Sequence, residues 1–425
     1  MGEDERILVK NFLSRLGPGF ITGASDDDPS GIATYAQTGA RFGYAHLWTA
    51  LFSFPFMTAV QEMCGRIGLV TGKGLAGNIR ASYPRSLLSS AVTLLFIANT
   101  VNIGADLGAM AASAELIVGL PFEILLLCMT ALTLFLEIFI SYKTYATYLK
   151  YLTLSLFAYV LVVLIIKQPW GEIAYRTFVP RFPADRESLM NIVAILGTTI
   201  SPYLFFWQAS EEVEEEVATG KLKTMGRGRP AVTDEDIWNM RMDTMFGMLF
   251  SNIVMFFIMV TAASTLFANG ITNIETAEQA AMSLRPIAGN AAFLLFALGI
   301  IGTGFLAVPV LAGSASYALA ESLNWKEGLY LKLSQAHGFY GAITIATLLG
   351  LITNFIGVPP FTMLYYTAIL NGLAAPPLLV LILLISNNRK IMGKHTNSLL
   401  SNVLGWMIVG VMSATGIALV FTLGL

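Results

Sequence analysis

Histidine is scarce in this chain: His46, His337 and His395 are the three in 425 residues, and all fall at predicted helix ends or in loops. Cysteine is scarcer. Cys64 and Cys128 both lie in apolar stretches, which reads as two packed, reduced thiols and excludes a disulfide framework or a cysteine metal site. Charge is thin too, at 12% of residues against about 25% in a soluble domain. A net charge of -2 with no basic stripe excludes nucleic acid as a partner. Polar stretches are too short for a soluble domain, the longest running from about 210 to 239. The N-terminus has acidic residues ahead of its basic ones and no cleavage site after a short apolar core, so a signal peptide is not expected. What fills the chain is apolar: 55% hydrophobic residues and a mean hydropathy of +0.68 predict an all-α integral membrane protein.

Runs of about 20 apolar residues cross a hydrocarbon core of about 30 Å. Eleven such spans are expected, near 17–41, 46–70, 87–117, 121–141, 147–167, 188–216, 240–267, 289–320, 336–356, 359–386 and 399–423. With a cytoplasmic N-terminus, all 25 Lys and Arg fall on the inner side except Arg41, Lys167, Arg176, Arg181, Arg186 and Arg285. That bias follows the positive-inside rule and puts Leu425 outside a plasma membrane.

Two spans are interrupted alike. The first carries Asp28, Pro29, Ser30 and Gly31, and the sixth carries Ser201 and Pro202 after Gly197, Thr198, Thr199 and Ile200. Proline removes an amide donor and clashes with the preceding turn. Breaks five spans apart, in helices of opposite direction, predict an inverted 5+5 repeat with a substrate site where the broken helices meet. The expected division is a cytoplasmic segment 1–16, a first repeat 17–167, an extracellular loop 168–187, a second repeat 188–386, and a loop with the eleventh helix over 387–425.

A carboxylate at membrane depth is costly and faces a cation or a polar cavity, which makes Asp28 the principal candidate ligand. Exposed backbone and hydroxyls at Ser30, Gly31, Thr198, Ile200 and Ser201 would add neutral oxygens, a set suited to a hard cation. Asp26 and Asp27 read as lining a water-filled vestibule or as further ligands. Asp106 reads either as a relay or proton acceptor or as a buried acid bonded to Asn99 or Asn102. Tyr203, Gln208 and Glu211 are further relay or vestibule candidates. Gln208, Glu211, Glu212 and Glu215 share one helix face, and Glu212 to Glu216 read as a solvated helix end. No imidazole falls near either break, so the site is expected to be built from oxygen.

These residues resemble a known family. GPGFITGASDDDPSG is similar to the first-helix signature of the Nramp divalent-metal transporters, whose D-P-G-N motif falls on Asp28, Pro29, Ser30 and Gly31. QEMCGRIGLVTGKGLA, from Gln61 to Ala76, resembles the end of that family's second helix, and GADLG resembles its T-D-L-A-E segment. The family's M-P-H falls on Ser201, Pro202 and Tyr203. The resemblance covers about 15–385 and implies a broken-helix transporter with a divalent cation between the first and sixth helices. At the site the chain departs: family Asn is Gly31, Met is Ser201, the next His is Tyr203, a second His becomes Gln208, and the helix 3 Glu becomes Ala109, while Asp106 is kept.

A site without thioether or imidazole loses its preference for transition metals. The pattern resembles the Nramp-related magnesium transporters and implies import of partly hydrated Mg²⁺, with Mn²⁺ as a second substrate, by alternating access without proton coupling. The alternative is a proton-coupled Mn²⁺ or Fe²⁺ symporter. An amino-acid transporter of the same fold, a cation channel and an intramembrane hydrolase rank lower. No enzyme activity, resident cofactor or obligate protein partner is expected, only the bilayer and the cation.

Overall fold

The computed structural model describes residues 17–140, 156–181 and 185–423. Segment 1–16, the start of the fifth expected span and Leu425 lie outside the described residues.

Proline sets the local grammar. Helix α1 (Pro18–Asp26) starts with Pro at its first position, and α2 (Pro29–Phe42) does the same with Asp28 as its N-cap. Pro29 cannot continue α1, and the residue before a proline avoids helical angles, so Asp28 is extended at φ -67°, ψ 170°. After α2 come α3 (Trp48–Thr71), α4 (Leu75–Ser82), α5 (Arg85–Val118), α6 (Phe122–Phe139), α7 (Phe157–Ile165) and α8 (Trp170–Phe178). The second break repeats the first: α9 (Arg186–Thr199) stops at Ile200, and α10 (Pro202–Ala218) restarts with Ser201 as N-cap and Pro202 at its first position. The chain continues through α11 (Asp234–Thr265), α12 (Ala292–Leu323), α13 (His337–Thr353), α14 (Pro360–Ser386) and α15 (Leu399–Leu423), with short helical turns between.

Among the described residues, seven helices are long and apolar enough to cross a membrane. The other four of the eleven expected spans miss that description for separate reasons. The first is split at Asp27 and Asp28; α3 carries Gln61, Glu62 and Arg66; the fifth lies partly outside the described residues; and α13 is a 17-residue helix. Helices α4 and α8 fall in stretches expected to be loops.

The broken pair is central. The most apolar window of the α9–α10 stretch is 89% buried, against 28% in α6 and 33% in α15, which face outward. Phe135, Phe139, Leu164, Ile165, Ile352, Leu400 and Phe421 form part of an exposed apolar surface suited to lipid. Helix α1 seats on α11 by glycine contact: a Cβ at Gly23 would overlap the backbone of Gly247, and one at Gly19 would overlap Thr244. Asp243 of α11 holds the start of α1 by accepting from the amides of Gly17 (2.9 Å) and Gly19 (2.7 Å), where the helix dipole favours a carboxylate.

A second polar tie involves Arg66 of α3. Its buried guanidinium donates to Glu62 (2.9 Å) and Asn397 (2.6 Å), while Glu62 also accepts from Arg241 of α11 (2.8 Å). Helix α4 is secured by α12, since the Glu321 carboxylate accepts from the amides of Gly74 (2.5 Å) and Gly77 (2.9 Å).

Glu327, in the connection after α12, is buried, and burial first and the Glu321 charge second push its carboxyl up to about 10. The folded chain then keeps that proton while the unfolded chain releases it near 4.5, so stability falls as pH rises between those values. Glu327→Gln should therefore show a melting temperature that declines less from pH 6 to pH 9 than the parent's. Parallel melting curves would show that Glu327 is ionised in the fold.

Candidate cation site at the two helix breaks

Each break is two residues long. Asp27 and Asp28 separate α1 from α2, and Ile200 and Ser201 separate α9 from α10. The two breaks meet at Gly31, in the first turn of α2. A Cβ placed there would lie 3.1 Å from the Asp26 carbonyl oxygen, 3.3 Å from Asp28 Oδ1 and 3.3 Å from Thr198 Oγ1. Three oxygens of different kinds thus lie close around Gly31, and the missing side chain is what lets them approach. All four residues are buried.

Asp28 is held on two sides. Its Oδ1 accepts from the Gly31 amide (2.6 Å), the N-cap bond of α2, and its Oδ2 accepts from Asn102 Nδ2 (3.0 Å). Asn102 on α5 also donates to Asp106 Oδ2 (3.2 Å) and accepts from Asn371 of α14 (3.2 Å). Of the two bonding partners the sequence offers Asp106, the structure selects Asn102, because Asn99 donates instead to the Leu311 carbonyl (2.9 Å). Asp106 is wholly buried, and its Oδ1 has no partner among the described residues.

The remaining ligand candidates are placed as follows. Thr198 and Ser30 are buried beside the breaks. Ser201 turns its hydroxyl back to the carbonyls of Gly197 (2.6 Å) and Thr198 (2.8 Å), and Ile200 packs its side chain in the core.

Two expectations need correction. Asp26 and Asp27 line no wet vestibule: they are 0% and 1% exposed, pressed against α11, where Ser251 Oγ lies 2.5 Å from Asp26 and 3.3 Å from Asp27. The close α1–α11 seat covers that face. Nor is the acidic face of α10 a solvated helix end or an open vestibule, since Glu211, Glu212, Glu214 and Glu216 are all buried. Gln208 donates to Glu212 (2.9 Å), and Glu214 accepts from Tyr317 of α12 (2.6 Å) and the Leu329 amide (2.6 Å). Tyr203 ties the breaks together by donating to the Ser25 carbonyl (3.1 Å).

No group of three or more His, Cys, Asp or Glu among the described residues is arranged to hold a metal. A cation at Gly31 would therefore take one carboxylate with carbonyl, hydroxyl and water oxygens, a donor set that suits hard divalent ions.

The sequence from 19 to 422 matches the family model described as natural resistance-associated macrophage protein-like, Nramp. The chain belongs to the Nramp family. It is similar to the divalent metal cation transporter MntH of Yersinia enterocolitica, at 26% identity over 402 residues that cover 93% of this chain and 92% of that one. The MntH of Klebsiella pneumoniae is 27% identical over 412 residues, covering 96% and 93%. Among solved structures, the manganese transporter of Eremococcus coleocola superposes with a TM-score of 0.77 at 16% identity, covering 99% of this chain and 88% of that one. Mhp1, a nucleobase-cation-symport-1 family transporter, superposes at 0.61 with 12% identity, covering 96% and 90%. This Nramp-family chain thus has an all-helical membrane transporter fold, with no enzyme among these relatives.

Sequence reasoning missed Ser251, Asn371 and Asp243. Each is a polar residue inside an apolar helix, and that signal was available. Their partners lie far along the chain, so the role of each is visible only in the fold.

Proposed function

We propose that this Nramp-family protein is a secondary transporter that carries divalent cations across a cell membrane by alternating access. The observation that carries the reading is the convergence at Gly31 of Asp28 Oδ1, the Asp26 carbonyl and Thr198 Oγ1. Supporting it are the curated relatives, named as divalent metal cation transporters and matched over nearly their whole lengths. The reading keeps eleven spans with the N-terminus inside, repeats at 17–167 and 188–386, a plasma-membrane location and no partner beyond lipid.

The cation has two readings, each with its own support. Mn²⁺ is favoured by the relatives, which are named as divalent metal cation and manganese transporters, and in this first reading it enters with protons. Mg²⁺ entering without protons draws no support from them, and rests on the residues: Ser201, Tyr203 and Gln208 stand where the family resemblance puts the sulfur and imidazole that would select a softer metal. Both ions accept octahedral oxygen, so the shared conclusion is a hard divalent cation.

Uptake into proteoliposomes holding a pH-sensitive dye separates the two. Mn²⁺ entry that acidifies the lumen supports the first reading, and Mg²⁺ entry at constant lumenal pH supports the second. A protein that moves neither ion is no transporter of this kind.

A further inference from the structure

Asp28 presents its two carboxylate oxygens to different places. Oδ1 lies beside Gly31, where the Asp26 carbonyl oxygen and Thr198 Oγ1 also lie, whereas Oδ2 accepts from Asn102 Nδ2 of α5 at 3.0 Å. The way Asp28 faces the site is therefore set in part by Asn102.

The Asn102 amide has one orientation open to it. It is 0% exposed, and its nitrogen stands between two acceptors, Asp28 Oδ2 and Asp106 Oδ2 at 3.2 Å, each of which takes one of its two hydrogens. A flipped amide would set its oxygen against these two oxygens instead. The Asn102 oxygen accepts from Asn371 Nδ2 of α14 at 3.2 Å, so Asn371, itself 1% exposed, satisfies the amide atom that the two acids leave over. The same turn of α14 reaches the second break. Gly197, next to Thr198, packs so closely on α14 that a Cβ there would overlap the backbone of Ala368 and Gly372. One turn of a helix thus supports the neighbour of Thr198 by backbone contact and Asp28 through Asn102.

We propose that Asn102, anchored by Asn371, is a positioning residue that sets ion specificity: it keeps Asp28 turned so that a single carboxylate oxygen meets the ion, which excludes Ca²⁺. The inference rests on the divalent-cation reading above. Ca²⁺ takes about six to eight oxygens and often draws two from one carboxylate, while Mg²⁺ keeps a tighter octahedral shell that includes several waters. A carboxylate that gives one oxygen serves the octahedral shell and falls short of the larger one. Groups that orient a metal ligand in this way change metal affinity by about 10- to 100-fold when they are removed.

Uptake of radioactive Mn²⁺ by the full-length protein in proteoliposomes, measured against rising Ca²⁺, tests this. The parent should keep most of its Mn²⁺ uptake in a large excess of Ca²⁺. In Asn102→Leu, which matches asparagine in size and donates nothing, the Ca²⁺ concentration that halves uptake should fall about 10-fold or more relative to the KM for Mn²⁺. Asn371→Leu should move that ratio the same way by less. The ratio is the informative quantity, because a packing defect lowers transport of both ions together and leaves it unchanged. Asn102→Ala, which only removes atoms, covers the case in which leucine does not fit between α5 and α14, and it should shift the ratio like Asn102→Leu. A parental ratio in the folded Asn102 variants, or a parent that Ca²⁺ blocks at the KM for Mn²⁺, would overturn the inference and leave the transport reading standing. A parent that moves neither Mn²⁺ nor Mg²⁺ would overturn both.

Discussion

Asp28→Asn is expected to fold like the parent and to lose Mn²⁺ uptake roughly 100-fold, because removing one charge from a buried pair costs about 3 kcal/mol or more. Asparagine is the informative replacement. Asp28 has three tasks: accepting the Gly31 amide at 2.6 Å as the cap of α2, accepting from Asn102 at 3.0 Å, and offering negative charge to a cation. An asparagine oxygen keeps the cap and discards the charge, whereas Asp28→Ala discards both and adds about 1 kcal/mol of lost capping. Both variants should be inactive, and Asp28→Ala alone should melt measurably lower. Uptake by Asp28→Asn at the parental rate would mean that the cation is held elsewhere.

The second large effect concerns packing. Gly23→Val should abolish transport and lower stability by about 3 kcal/mol, because its Cβ would overlap the backbone of Gly247, which has no rotamer by which to move aside. Helix α1 would be lifted off α11, carrying Asp26 and Asp27 away from Ser251 and the Asp26 carbonyl away from Gly31. Gly410→Ala on α15 is the control, since nothing lies within 4 Å of the added methyl, and it should be neutral or slightly stabilising. Thermal melts and uptake measured together check the pair. Equal behaviour of the two variants would show that the α1–α11 seat does not matter.

Much of this architecture is local and therefore readable. Asp-Pro and Ser-Pro dipeptides break helices through the proline's own covalent geometry, and the structure restarts a helix at Pro29 and Pro202. Span boundaries from hydropathy fall close to the observed helix ends for α5, α9–α10, α12 and α14. What was not legible depends on distant partners. Glu214 reads as a solvated acid until Tyr317 and Leu329 are brought to it, more than a hundred residues later. Asp26 and Asp27 read as keeping a vestibule wet until Ser251 and the glycine seat on α11 close over them. Helix α4 is short and polar, with little to announce it, and its N-terminus is capped by Glu321 from α12.

The ion is the least legible part, because family resemblance and site chemistry pull apart. The curated relatives are named as divalent metal cation transporters, while Ser201 and Tyr203 stand where the resemblance puts the family's methionine and histidine. An oxygen-lined site satisfies both only for a hard divalent cation.

The most direct measurement is anomalous X-ray diffraction from crystals soaked in Mn²⁺, recorded at the manganese edge. The strongest peak is predicted at the meeting of the breaks, within coordination distance of the Asp28 carboxylate and beside Thr198 Oγ1 and the Asp26 carbonyl. A strongest peak among Glu214, Glu321 and Glu327, with none at Asp28, would contradict the account.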